Sequence, residues 1–208
     1  MKVYRCRKIE NPFEIDGNIK KEAWNRADEL KLVDVVTGDA PRQETCAKIL
    51  YDDQYLYLAF SSQNQSVCGS LSNYNDLIYQ EDVVELFISM NDNLREYVEI
   101  EINPINTILH YLVKNDLKGY VQTFGRVNET IDSVVILDEQ RARWDVEMRI
   151  PMSEIFFGDS QELSGTVGRM NLYRIDRDHQ EEDEFSSWNP VGELNYHKPK
   201  SFGIIRFE

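Results

Sequence analysis

The strongest constraint on this chain is a hydrophobic repeat of two. Val83–Met90 reads Val-Val-Glu-Leu-Phe-Ile-Ser-Met, with Val84, Leu86 and Ile88 on one side and Val83, Glu85 and Phe87 on the other. Tyr97–Ile102 alternates more sharply: Val98, Ile100 and Ile102 point inward, Glu99 and Glu101 outward. Successive side chains of a strand point to opposite faces, so this pattern segregates apolar from polar only if the backbone is extended. The same period recurs in Tyr55–Phe60, Ile108–Val113, Val121–Phe124, Ile131–Leu137, Trp144–Ile150, Met170–Ile175 and Phe202–Phe207. Asp52-Asp53-Gln54 is a turn, which makes Lys48–Tyr51 the hairpin partner of the strand that follows. Short strands at this spacing predict a mainly β chain, an antiparallel β-sandwich of two facing sheets. Helix is confined to two short pieces, Ile19–Ala27 and Ser153–Phe157 after Pro151, too little for a helical layer.

The chain holds no internal repeat and no Pro/Gly/Ser linker, so residues 1–208 read as a single domain, long enough to bury a core unaided by disulfides. The acidic run Glu181–Glu184 reads as an exposed loop. Three cysteines, Cys6, Cys46 and Cys68, lack CxxC spacing and predict neither a disulfide framework nor a zinc cluster. A formal net charge of −14 argues against nucleic acid and against an anionic membrane surface as partners. The opening MKVYRCRKIENPFEID carries positive charge without an apolar run of signal-peptide length, and no stretch approaches the ~20 apolar residues of a membrane helix.

Several blocks, taken in order, resemble the family 9 carbohydrate-binding modules and their DOMON-like relatives. FEIDGNIKKEAWNRADEL resembles the family opening, an Ile-Asp-Gly turn followed by an Ala-Trp pair. KILYDDQYLYLAF resembles the next hairpin, and NDLIYQEDVVELFISMND the segment where an aromatic residue precedes an acidic strand. WDVEMRIPMSEI, GRMNLYRID, SSWNPV and HKPKSFGIIRF resemble the later blocks, so the likeness runs from about residue 13 to residue 207. The resemblance implies an immunoglobulin-like or jelly-roll-like sandwich that holds glucose- or xylose-based sugars between two aromatic rings without cleaving them. It further implies bound calcium, association with glycoside hydrolases in polysaccharide degradation, and an extracellular or periplasmic location.

The same likeness nominates residues. Trp188, in the polar stretch SSWNPV, matches the second aromatic platform, with packing over the sandwich edge as the alternative. Tyr79 stands where the family commonly has Trp, and offers less stacking area. Glu85 matches an acidic position whose carboxylate accepts two sugar hydroxyls, or else faces an arginine on the next strand. Asn171 and Arg174 supply donors on the same strand, with solvent-exposed alternation as the alternative; Asn103 is a weaker candidate. Trp24 and Trp144 read as core. Calcium ligands cannot be chosen from the sequence, although Asp52, Asp53, Asp76 and Asp82 are available.

No GxSxG, HExxH or phosphate-binding glycine loop marks an enzyme, and with 37 acidic residues a carboxylate pair carries no information. His110, His179 and His197 are too scattered for a metal triad. His197 falls in a family-like closing block and suits a structural or ligand-edge role. Two rival readings stand beside sugar binding. One is b-type haem, held by a methionine (Met90, Met148, Met152 or Met170) and a histidine (His110 or His197), a pairing no spacing supports. The other is a protein-interaction module that has lost its sugar.

Overall fold

The computed structural model describes residues 1–90, 94–156, 163–177 and 182–208. Phe157, the predicted end of the second short helix, His179 and Glu181 lie outside the described residues. The chain is mainly β. In order its strands are β1 (Val3–Lys8), β2 (Leu30–Lys31), β3 (Val33–Asp34), β4 (Thr45–Tyr51), β5 (Tyr55–Gln63), β6 (Val83–Ser89) and β7 (Glu96–Ile102). Then come β8 (Ile108–Asn115), β9 (Val121–Gly125), β10 (Asp132–Asp138), β11 (Arg143–Pro151), β12 (Val167–Asp176), β13 (Glu184–Ser187) and β14 (Gly203–Phe207). The helix expected after Pro151 is one turn, α1 (Met152–Ile155), and the one expected at Ile19–Ala27 is a 3-10 segment, Glu22–Arg26.

One layer runs β10-β11-β5-β4 and the other β14-β12-β6-β7-β8-β9. β1 joins them: Val3–Cys6 pair with β14, and Arg7 and Lys8 with β4. Both pairings are parallel, a departure from the all-antiparallel expectation. A strand that changes sheets part-way along needs no tight turn between the layers, so direction is set by where the chain must go next.

The alternation seen in the sequence builds the core. Val84, Leu86, Ile88, Val98, Ile100, Ile102, Met170 and Leu172 from one sheet meet Ile49, Leu56, Leu58, Phe60, Trp144, Val146, Met148 and Ile150 from the other, all buried in one cluster. At ~25 cal/mol per Å² of apolar surface, a contact of this extent is the main force holding the sheets together.

Each outer face is also covered. On the first sheet Leu50, Tyr57 and Ala59 pack with Trp24, Ile9 and Phe13 from the N-terminal segment. That segment is fixed by Glu147, fully buried on the outer side of β11. Its carboxylate accepts from the backbone N–H of Asp16 and Gly17, from Trp24 Nε1 at 2.9 Å and from Lys21 Nζ at 2.7 Å. The Ile-Asp-Gly turn and the Ala-Trp pair are therefore one unit. Gly17 takes a positive φ of 83°, and a Cβ there would lie 2.6 Å from Ile136 Cγ1, so only glycine fits the turn. On the second sheet Phe87, Tyr97, Val113, Tyr173 and Phe202 form a buried outer layer. The segment 189–202 is tied across it: Tyr196 Oη donates to Arg174 O, Tyr173 Oη donates to Tyr196 O, and the two rings stack 4.1 Å apart.

Candidate functional site

The outer face of the second sheet carries two apolar patches with acid between them. Phe87, Tyr97 and Tyr173 mark one patch, Ile78, Val83, Leu109 and Ile175 the other, and Tyr111 and Tyr196 border both. In the gap, Glu85 on β6 stands directly opposite Glu101 on β7, and Glu99 follows two residues earlier on β7. Directly opposed like charges destabilise a strand pair. Here they are also sealed: Glu85, Glu99 and Glu101 are 2%, 4% and 1% exposed. Glu85 Oε1, Glu99 Oε2 and Glu101 Oε2 have no hydrogen-bond partner. Burial drives all three carboxyls up, Glu99 to about 7 and the other two well above their ordinary value, and mutual repulsion adds to the rise for Glu85 and Glu101.

Tyrosines surround these acids. Tyr79 sits in the 3-10 turn Ile78–Gln80 and is 38% exposed. Its phenol is raised by burial and then by the charges of Glu101 and Glu99. Tyr111 feels the same two carboxyls, and Tyr196 feels Glu85 and Glu101. Arg177 supplies the nearby positive charge, acting on Glu85. Its guanidinium donates to Tyr79 O at 2.8 Å and Asp183 Oδ2 at 2.5 Å, while its buried Nε has no partner. The group thus has an acceptor-rich floor, an aromatic border and buried oxygens lacking partners, which is how a polar ligand is received.

Of the residues nominated from sequence, Tyr79 and Glu85 are in this group. The other three are not. Asn171 and Arg174 are three apart on one strand and therefore point to opposite faces. Asn171 is buried, donating to Asn189 O and accepting from Asn189 N at 2.9 Å, so it pins the 189–190 turn. Arg174 points between the sheets, 1% exposed, bonded to Thr45 Oγ1 and paired with Asp176 at 3.2 Å. Trp188 is 4% exposed and belongs to the inter-sheet core, its ring lying against the backbone of Gly203. It presents no open platform; the edge-packing alternative describes its position. Asn103 holds a turn through Leu71 O and Thr107 N. Trp24 and Trp144 are fully buried, in agreement with the sequence reading.

Sequence reasoning passed over Glu99, Glu101, Tyr111 and Tyr196. Glu99 and Glu101 were marked outward, which is correct, but outward here means under a second layer. His197 lies at the border, its Nδ1 2.8 Å from Tyr97 Oη and its ring 5.4 Å from Phe87.

The four aspartates considered for calcium do not gather. Asp52 caps its own hairpin turn and accepts from Tyr57 Oη, Asp53 pairs with Lys8, Asp76 caps Asn73, and Asp82 accepts from Asn64, Cys68 and Arg177. Among the described residues no group of three or more His, Cys, Asp or Glu side chains is arranged to hold a metal ion. Met148 and Met170 pack in the inter-sheet core rather than beside a histidine. A hollow of about 350 Å³ lies elsewhere, on the outer side of the first sheet among Lys20, Glu44, Cys46, Lys48, Gln63 and Arg143. It holds none of the nominated residues, and its one aromatic lining residue, Phe60, is buried in the inter-sheet core. The geometry of the acidic group is the better guide to function.

Comparison with known proteins agrees with this architecture. A putative carbohydrate-binding protein from Bacteroides uniformis ATCC 8492 has a similar structure: TM-score 0.78, 21% identity, covering 100% of this chain and 99% of that one. A family 9 module from Caldicellulosiruptor kristjanssonii, solved with cellotriose, matches with TM-score 0.71 and 17% identity over 100% of this chain and 94% of its own. Exoglucanase XynX of Acetivibrio thermocellus is 27% identical over 164 residues, 79% of this chain; the chain spans 13% of that relative's length. The model of carbohydrate-binding family 9 matches residues 27–207. The chain belongs to carbohydrate-binding family 9.

Proposed function

We propose that this protein binds gluco- or xylo-configured oligosaccharide or polysaccharide without cleaving it, at the outer face of the second sheet. Three unpartnered carboxyl oxygens beneath a tyrosine border carry this reading. Family membership supports it, as does the cellotriose complex of a structurally similar module. A pyranose offers an apolar C–H face to a ring such as Tyr79 and hydroxyl donors to Glu85, Glu99 and Glu101, each of which has an acceptor to spare. The likeness to part of an exoglucanase supports an accessory role beside polysaccharide-degrading enzymes.

Such contacts give affinities in the micromolar to millimolar range for a short sugar. The test is calorimetric titration with cello- and xylo-oligosaccharides. All three tryptophans are buried outside the acidic group, so tryptophan fluorescence is a poor reporter. Glu85→Gln and Tyr79→Ala are each expected to weaken binding about ten-fold or more, ~1.4 kcal/mol, with the melting temperature no lower than wild type for Glu85→Gln. Absence of heat with every sugar overturns the reading.

A further inference from the structure

Strand β9 is the last of the second sheet, and among the described residues no strand pairs with its outer edge. It reads Val-Gln-Thr-Phe-Gly, without a charge. The edge strand of the first sheet, β10, is bracketed by Asp132 and Asp138, with Arg149 on Asp132 at 2.6 Å. Exposed edges are ordinarily blunted by charge, and β9 is not. Tyr120, the residue before it, shares one face with Gln122 and Phe124, which stand opposite Lys114 and Leu112 on β8. Tyr120 is 62% exposed and Phe124 47%, and neither ring stacks on another aromatic among the described residues. Tyr120 and Gln122 line a hollow of about 320 Å³, together with Arg95, Glu96 and Lys114. Lys114 and Glu96 answer each other at 3.3 Å, whereas the Gln122 amide has no partner among the described residues. The turn under Tyr120 is firmly held. Asp116 Oδ1 accepts from Lys118 N at 2.7 Å and Tyr120 N at 3.0 Å, Asp116 N donates to Tyr120 O at 3.1 Å, and Arg95 donates to Asp116 O at 3.2 Å. A fixed turn thus presents an open ring, which lowers the ordering cost of binding to it.

Resting on the sugar-binding reading above for its ligand class, we propose that the Tyr120–Gln122–Phe124 face is a second carbohydrate site, which takes an extended stretch of neutral β-1,4-linked glucan or xylan. The two aromatic residues lie about 13 Å apart along the strand, at ~3.3 Å per residue, so they meet different sugar units of one chain. Each ring covers an apolar pyranose face, and the Gln122 amide between them serves hydroxyls as donor and acceptor. Lys114 and Glu96 neutralise each other, so the strip suits an uncharged ligand. The other occupant of a bare edge is a second copy of the chain, and two copies, each with a formal charge of −14, repel. A short sugar covers one ring and gains little on this face. A polymer offers separate segments to this face and to the acidic face, so losing either lowers its retention.

The experiment pairs native electrophoresis, in gels with and without hydroxyethylcellulose or soluble xylan, with calorimetric titration of cellotriose. The charge of −14 carries the protein toward the anode, and retardation by the polymer reads its affinity. Tyr120→Ala/Phe124→Ala is expected to lower the affinity for at least one polymer about ten-fold and to keep that for cellotriose within about two-fold. Its melting temperature is expected to match wild type, because both rings lie in solvent. Glu85→Gln is expected to weaken cellotriose binding while the gel still retards it. Unchanged retardation of the double variant, or no retardation of the wild type, overturns this proposal and leaves the first site standing. Loss of the cellotriose heat in the double variant also overturns it, since one site then serves both ligands. A wild-type dimer in sedimentation that the double variant dissociates overturns it in favour of a second copy on the edge. No retardation together with no heat from any sugar overturns both readings.

Discussion

Glu99 shows how far a single residue's surroundings can separate its role from its place in a sequence pattern. Alternation placed it on the polar side of β7, and the sheet does turn it away from the core. The second layer then buries it, and burial raises its carboxyl to about 7. A carboxyl whose folded value lies above its unfolded value of 4.5 favours the folded state while protonated. That contribution is complete below about 4.5 and is lost as pH rises through about 7. Glu99→Gln keeps the shape and removes the charge. It is therefore expected to melt several degrees above wild type at pH 8, roughly 1–3 kcal/mol, and to match it at pH 4. Melting curves at the two pH values check this; equal melting at both removes the argument. Strand parity, by contrast, was readable and would have separated Asn171 from Arg174, whose odd spacing puts them on opposite faces. Trp188 was not readable. Its polar neighbours suggested an open ring, and only the fold shows that the ring closes over Gly203. A Cβ at Gly203 would sit 2.3 Å from Trp188 Cζ3. Gly203→Ala is expected to cost about 1–3 kcal/mol in denaturant unfolding, an overpacking loss absent if the ring were in solvent.

At the scale of elements, the strands were legible because each buries one face in a continuous core, and burial writes a period of two into the sequence. The segments that lie across the outer faces have no such period. The N-terminal segment is held by a point contact, Glu147, which collects four donors from residues 16–24. In the sequence Glu147 is one polar position of an alternating strand, indistinguishable from Asp145 or Arg149. The turn and the tryptophan were recognised as a motif, but what joins them lies more than 120 residues away. Removing the carboxylate leaves two backbone N–H groups and an indole N–H without their acceptor, and Lys21 with only Asp16 and the Glu14 carbonyl. Glu147→Ala is expected to destabilise the protein by about 3–5 kcal/mol. Hydrogen exchange should localise the first loss of protection to residues 13–27, while β6, β7 and β12 stay protected. Uniform loss across both sheets would show that the segment and the sandwich unfold as one. The short edge strands β2, β3 and β13 were equally invisible, since runs of two to four residues are too brief to display a period.

For the whole molecule, the buried His110 and half-buried His197 on one side and the three buried acids on the other pull stability in opposite directions across the same pH range. His110 and His197 are both held at about 4, below the ordinary 6.5, because burial disfavours their charged form. Their contribution is complete above about 6.5 and is lost as pH falls through about 4. That of the acids is complete below about 4.5 and fades as pH rises toward 7 and beyond. Between about 4.5 and 6.5 the slopes oppose, three acids against two histidines, so the wild-type melting temperature is expected to decline with pH less steeply than the acids alone would make it. Glu85→Gln/Glu99→Gln/Glu101→Gln removes one slope and should leave a melting temperature that climbs with pH over this interval. His110→Asn/His197→Asn removes the other and should leave one that declines. His110 is the more consequential of the two histidines, since its Nε2 has no hydrogen-bond partner and stands 3.9 Å from Glu154 on α1, which Arg126 already occupies at 2.7 Å. The three profiles, measured by calorimetry in matched ionic strength, test whether buried groups or the net charge of −14 govern the response. If general repulsion governed it, all three proteins would lose stability together as pH rises, and the crossing of slopes would be absent.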